Sequence, residues 1–362
     1  MFLIQLITFF LCDDALLLSP QVLLWLEWVK SAIFSCPFLR FLSYLCNLVL
    51  ERGFVMQVQK HIRSLVLPFA ILMGLLLHTY CGMLYCIVPG LVFTMLFLSY
   101  TAVDVRKMHF SRLDFWLMLI QVVLAVGFYL LLTLCGVDEI ICHGILVGVI
   151  TPVAASVVVI SCALGAKRET VTTFTIVDNL MVAVVAPILY SFIGTHTELP
   201  FLQSFWKIFC RVTPQIVFPF LSAMLLQHLL PKVNAGVARY SGLSLYVWAF
   251  TLTVVLGHTF DDILTSPDPH WHLLLILSAI AVVLCALQFG LGKWVGSRFG
   301  ETMAGGQELG QKNTSFGIWM AVEYLNPFSA VFPAIYSICQ NIFNSWQMWR
   351  AQNPRHSGRK SS

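Results

Sequence analysis

From residue 64 onward the chain repeats one pattern: a run of about twenty apolar residues, then a short connection carrying charge, glycine or proline. A helix of that length crosses the roughly 30 Å hydrocarbon layer of a bilayer at 1.5 Å per residue. The pattern predicts ten spans, at residues 64–81, 84–103, 114–135, 140–164, 170–194, 207–230, 240–260, 272–296, 306–325 and 328–348. The expected fold class is an all-α polytopic membrane protein of about ten transmembrane helices.

Composition agrees. Of the 362 residues 59% are hydrophobic and only 10% charged, with a mean hydropathy of +0.84, whereas soluble chains carry about 25% charged residues. Such a chain cannot cover itself with polar surface, so lipid is its solvent. The net charge of +4 is spread in short groups between apolar runs, which argues against nucleic acid as a partner. The eleven cysteines form no CxxC pair, and Cys81, Cys86, Cys162, Cys285 and Cys339 sit inside apolar runs as small packing residues. Cys142–His143 is too short to hold a metal. No HExxH, phosphate-binding glycine loop or aspartate-rich motif is present, and no nucleophile with its base, so an enzyme is not expected.

Lys and Arg alternate between connections, which predicts orientation. They occur at Lys60 and Arg63, at Arg106, Lys107 and Arg112, at Lys167 and Arg168, at Lys232 and Arg239, at Lys293 and Arg298, and in the tail at Arg350, Arg355, Arg359 and Lys360. The intervening connections hold acids and neither Lys nor Arg; only Lys207 and Arg211, at the outer start of the sixth span, break the rule, as interfacial side chains can. Both termini are therefore expected in the cytoplasm, in a cell inner membrane.

Ten spans divide at the Thr195–Pro200 connection into a first five-helix repeat, 56–197, and a second, 198–349, followed by a basic cytoplasmic tail, 350–362. Because the first and sixth spans start on opposite sides, the halves would be inverted repeats, with a midplane site where corresponding helices are broken. Pro152 in the fourth span, and Gly305, Gly306, Gly310 and Gly317 in the ninth, mark these as the broken pair. Residues 1–55 fit poorly: apolar runs there are cut by Asp13, Asp14, Glu27, Lys30 and Arg40, while Met56 opens an ordinary start, Gln57-Val58-Gln59-Lys60. Met56 is the expected physiological start and 1–55 an upstream extension of the gene model, the other reading being one or two extra helices.

Charge within a bilayer costs several kcal/mol and so needs a reason. The ninth span is the most polar, with Gln307, Glu308, Gln311, Lys312, Asn313, Thr314 and Ser315. Glu308 and Lys312, four apart with the acid first, could simply neutralise one another on a helix near the interface, but a stabilising pair would not need the amides and hydroxyls around it. Thinner candidates are Gln121, Ser156, Thr170, Thr172, Thr173, Thr175, Asp178, Asn179 and Gln288. A single Ser or Thr in a membrane helix commonly bonds its own backbone; Asp178–Asn179 in mid-span is harder to explain away. His228, His258 and His272 fall near span ends, as solvated histidines do.

The stretch Glu308-Leu309-Gly310-Gln311-Lys312-Asn313-Thr314-Ser315-Phe316-Gly317 resembles the E-x-G-x-Q-N signature of the bile acid:sodium symporter family. Ile145-Leu146-Val147-Gly148 leading to Ser156 is similar to that family's discontinuous fourth helix, and Pro333-Ala334 through Ser337 to Asn341-Ile342 to its closing helix. The resemblance, over roughly 60–350, implies a panel and a core domain, crossed fourth and ninth helices, and an organic anion bound beside two sodium ions. It implies substrate- and cation-binding roles for Glu308, Gln311, Lys312, Asn313, Gln121, Ser156, Thr170, Thr175 and Asn179, with sodium at Glu308, Gln121, Ser156 and Thr170. Sodium is the one cofactor expected, as coupling ion. Two departures bear on it: Lys312 replaces the family's glutamine and Val157 its asparagine, each removing an oxygen ligand. Lys312 also puts an ammonium where a sodium would lie, so it is expected to stand in for one sodium, leaving coupling to one sodium, to protons or to none. The expected function is alternating-access transport of a small organic anion, bile-acid-like or another carboxylate. A cation/proton antiporter of the related crossed-helix fold is the alternative.

Overall fold

In the computed structural model, residues 68–103, 108–154, 156–193, 200–268 and 270–352 are described. The runs before Met56 and the basic residues Arg106, Lys107, Arg355, Arg359 and Lys360 lie outside them. Among the described residues all regular structure is helical. Residues 68–76 lead through a turn at Leu77 into α1 (His78–Leu84), and a short 3₁₀ turn joins it to α2 (Val88–Thr101). The chain continues with α3 (Arg112–Leu134), α4 (Glu139–Ile150), α5 (Val157–Ala163), α6 (Arg168–Ile193) and α7 (Phe201–Leu229). It ends with α8 (Pro231–Ala238), α9 (Ser244–Thr265), α10 (Trp271–Ser297), α11 (Thr302–Gly310), α12 (Thr314–Tyr324) and α13 (Val331–Gln352).

Among the described residues, six stretches are long and apolar enough to cross a membrane: His78–Thr101, Arg112–Leu134, Arg168–Ile193, Phe201–Leu229, Ser241–Thr265 and Trp271–Ser297. Their outward faces are apolar, as Val123, Leu130, Leu131, Leu275, Val282 and Val283 illustrate. A water-facing helix would carry charge there, so this is a helical multi-pass membrane protein. A 3₁₀ turn at Tyr85–Ile87 interrupts the stretch His78–Thr101. Ala70 and Cys81 both meet Thr253 of α9, His78 meets Asp261 and Tyr85 packs on His258, and Asn234 of α8 donates to the Thr101 carbonyl at the end of α2.

Local chemistry explains the ends and bends. Ser111 and Asp114 form a reciprocal capping box that starts α3, and Asp138 caps α4. Pro187 inside α6 cannot donate to Ala183, and the Thr213 hydroxyl of α7 takes that free carbonyl at 2.8 Å. Gly292, Gly296 and Gly305 let α10 and α11 pack backbone to backbone: a Cβ on Gly305 would lie 2.5 Å from the Gly292 carbonyl oxygen. On one side α2 packs against α7 and α9 and α1 against α9; on another α10 packs against α4, α11 and α13 and α4 against α13.

Lys167, preceding α6, pairs with Glu301, preceding α11, at 2.6 Å, and this holds the exposed ammonium above its usual pKa range through the hydrogen bond and the charge. Elsewhere His78 pairs with Asp261 at 2.7 Å, and the Glu139 carboxylate lies beside His143.

Candidate functional site

Two helical tracks are interrupted inside the bundle. The first breaks between α4 and α5, at residues 151–156, where Pro152 lacks a donor; the second breaks between α11 and α12, at Gln311, Lys312 and Asn313. The breaks lie side by side and pair through their backbones: Val153 and Lys312 form an antiparallel bridge, Ala154 N–H donates to the Gln311 carbonyl at 3.2 Å, and Asn313 N–H to the Pro152 carbonyl at 2.8 Å. An unwound segment in lipid must find partners for its peptide groups, and each break here supplies the other's.

The helix that follows each break pins it. From α6, the Asp178 carboxylate accepts from Val153 N–H at 2.6 Å and the Asn179 amide donates to the Val153 carbonyl at 3.3 Å. From α13, one Gln340 side chain does both tasks for Lys312, accepting from its N–H at 2.8 Å and donating to its carbonyl at 3.0 Å. Tyr336, one turn before, donates to the Gly310 carbonyl at 2.7 Å, and Asn344, one turn after, accepts from Gln307 at 2.9 Å. Tyr336, Gln340 and Asn344 recur every four residues and so share one face of α13.

Lys312 is 1% exposed, and its ammonium donates to Gln121 Oε1 on α3 at 2.7 Å. The Gln121 amide nitrogen donates to the carbonyls of Ile150 (3.2 Å) and Thr151 (3.4 Å), orphaned where α4 ends. Asp178 lies within electrostatic reach of Lys312 without a direct ion pair. The crossing thus holds one buried cation, one buried acid and an amide bridging the cation to a helix end. Gln311 donates to the Ser156 hydroxyl at 2.8 Å.

Of the nine sequence-predicted residues, six come together at the two breaks. Gln121, Lys312, Gln311, Ser156, Asn179 and Asn313 lie at these paired breaks, where the Gln121 oxygen accepts from Lys312 and the Ser156 hydroxyl from Gln311. Thr175 bonds the Val171 carbonyl of its own helix at 2.7 Å, and Thr170 is half-buried near the start of α6. Glu308 is fully buried and neither carboxyl oxygen has a hydrogen-bond partner. No ion pair joins it to Lys312 among the described residues: α11 ends at Gly310, so the four-residue spacing no longer sets the two side chains on one helix face. Its electrostatic neighbours are Asp114, Glu301 and Asp178.

No known family model and no curated protein matches this chain. What the site can do therefore rests on its own geometry. The N-termini of α5 and α12 and the C-termini of α4 and α11 all face the crossing, bringing partial charges of both signs to one buried point. Sequence reasoning did not select Asp178 as a site residue and overlooked Tyr336, Gln340 and Asn344. The available signal was the run of polar residues at four-residue intervals on α13, which a search for charged residues passes over.

Proposed function

We propose that this protein is a secondary transporter that moves a small organic anion across the membrane by alternating access. The observation carrying this reading is the backbone pairing of two interrupted helices, Val153 against Lys312, deep in a membrane bundle. Broken helices crossing at depth are stable only around a buried or wet site, and their half-helix N-termini, with Lys312 beside them, suit a carboxylate.

The element order supports a ten-span arrangement of two inverted repeats. A long helix, a broken pair and another long helix (α3 to α6) recur in the same order (α10 to α13). Membership of the bile acid:sodium symporter family is part of the proposal, supported by the short motifs on these elements. An inner membrane with cytoplasmic termini is supported by the alternation of Lys and Arg between successive connections along the chain.

Lys312 occupies the place of one coupling cation, and a second monovalent cation would sit by Glu308. Uptake of labelled cholate, pantothenate and 2-oxobutyrate into proteoliposomes, with and without sodium, tests both points. Uptake that Lys312→Ala abolishes or re-couples, and that loses cation dependence in Glu308→Ala, is the expected result. Wild-type behaviour in both variants refutes the site. One observation favours the antiporter reading instead: Asp178 and Lys312 are opposite buried charges without direct contact, a pair that can trade a proton for a metal cation. Proton release on adding sodium to anion-free proteoliposomes would decide for it.

A further inference from the structure

α10 packs against α13, and near their C-terminal ends two cations come together. Lys293 of α10 is half-buried, its stem running over Gly306 of α11, where an added Cβ would lie 2.5 Å from the lysine Cγ. Its ammonium sits 5.0 Å from the centre of the Phe343 ring of α13. That ring packs on Trp346 at 5.6 Å, and Trp346 carries the Arg350 guanidinium, also 5.6 Å from its centre. Cation, two rings and cation form one continuous row, and Arg350 is the charge within electrostatic reach of Lys293.

Neither cation meets an acid: among the described residues no ion pair includes Lys293 or Arg350, and Glu301, the first acid after α10, is held by Lys167. The helix dipole favours a cation in a last turn, which accounts for Arg350 in α13. It does not account for Lys293, a full turn before the end of α10 at Ser297. An ammonium half withdrawn from water beside a like charge calls for an anion. The source of that anion follows from the rings. Trp346 is 44% exposed, and so is Trp294, the neighbour of Lys293, at 57%, with Arg298 lying 4.6 Å from its ring. Exposed tryptophans on membrane helices belong at headgroup level, where the available anion is a phosphate held in the bilayer.

We propose that Lys293 and Arg350, positioned by Phe343 and Trp346, bind the headgroup phosphate of an anionic phospholipid at the membrane surface. The connection after α10 belongs to the set that carries Lys and Arg and is expected at the cytoplasmic face, where basic pockets between helices take anionic headgroups. The phosphate ties α10 to α13. Through the Lys293 stem on Gly306 it also seats α11, the half-helix that ends at the second break. The site is independent of what the protein carries across the membrane.

The test is native mass spectrometry of the full chain in a neutral detergent, titrated with dioleoylphosphatidylglycerol. Zwitterionic dioleoylphosphatidylcholine is the control for charge, and glycerol 3-phosphate the control for a phosphate without acyl chains. A cation near an anionic headgroup is worth about five-fold in affinity. Lys293→Met and Arg350→Gln should therefore each weaken phosphatidylglycerol binding about five-fold, and the double variant about 25-fold. Lys232→Gln, which removes an exposed cation of the same expected face on α8, should bind as wild type does. Arg350 is exposed in the last turn of α13, so Arg350→Gln decides the matter even where Lys293→Met fails to fold. Equal binding of the two lipids by wild type, unchanged affinity in Arg350→Gln, or equal weakening by Lys232→Gln overturns the proposal. Displacement of the lipid by glycerol 3-phosphate at equal concentration overturns the choice of a bilayer ligand.

Discussion

Replacing Lys312 by methionine keeps the length of the side chain and removes its charge. In the folded protein this strips Gln121 Oε1 of its 2.7 Å donor and leaves the Asp178 carboxylate buried without a counter-charge. Breaking one side of a buried charge pair costs about 3–5 kcal/mol, and about 1.5–3 kcal/mol of that is the charge-assisted hydrogen bond. At roughly 2–4 °C per kcal/mol for a chain of a few hundred residues, the apparent melting temperature should fall on the order of 10 °C. Asp178→Asn keeps an oxygen to accept from Val153 N–H and removes the acid's charge, so in the double variant neither charge is stranded. The pair should therefore be strongly non-additive, with the double variant recovering more than half of the loss. Thermal melts of the four proteins in one detergent make the cycle. A melt of Lys312→Met within about 1 °C of wild type, or losses that add, would show that Lys312 and Asp178 do not share one buried field.

Gln340→Leu removes both partners of the Lys312 peptide, and with about 1–3 kcal/mol for each buried group left unpaired, hydrogen exchange at residues 311–313 should accelerate at least ten-fold while that of α10 is unchanged. Gly305→Val drives a Cβ against the Gly292 carbonyl and the Gly296 backbone, so folded protein should be lost on size-exclusion chromatography; Gly290→Ala, whose added Cβ meets nothing within 4 Å, should behave as wild type. The Lys167–Glu301 pair raises the lysine above its usual 10.5, so its stabilisation is complete below that pH and is lost as pH rises through the raised value. The difference in melting between wild type and Lys167→Met should thus stay constant from about pH 6 to 9 and shrink only above about 10.5.

Much of this molecule is legible from residue order alone. Runs of apolar residues determine where helices cross lipid, because an unpaired peptide group there is too costly for any other conformation. Pro152 and the glycines around Gly310 locate the two interruptions for the same local reason: one residue type lacks a donor, and the other stabilises a helix least. The spacing of Lys and Arg orders the connections into two classes. Partnership was not legible. Glu308 and Lys312 are neighbours on any continuous helix, yet the break at Gln311 separates them, and Lys312 finds its acceptor on α3, 191 residues earlier in the chain. Gln340 satisfies Lys312 while Asp178 and Asn179 satisfy Val153, and Arg211 meets Glu323. These pairings depend on which helices pack together and at what height, and packing in lipid is set by small-residue contacts such as Gly292 against Gly305, between residues distant along the chain. Residue order thus determined which segments are apolar enough to cross a membrane and where two helical tracks break, and the tertiary structure decided which side chain answers each exposed peptide and each buried charge.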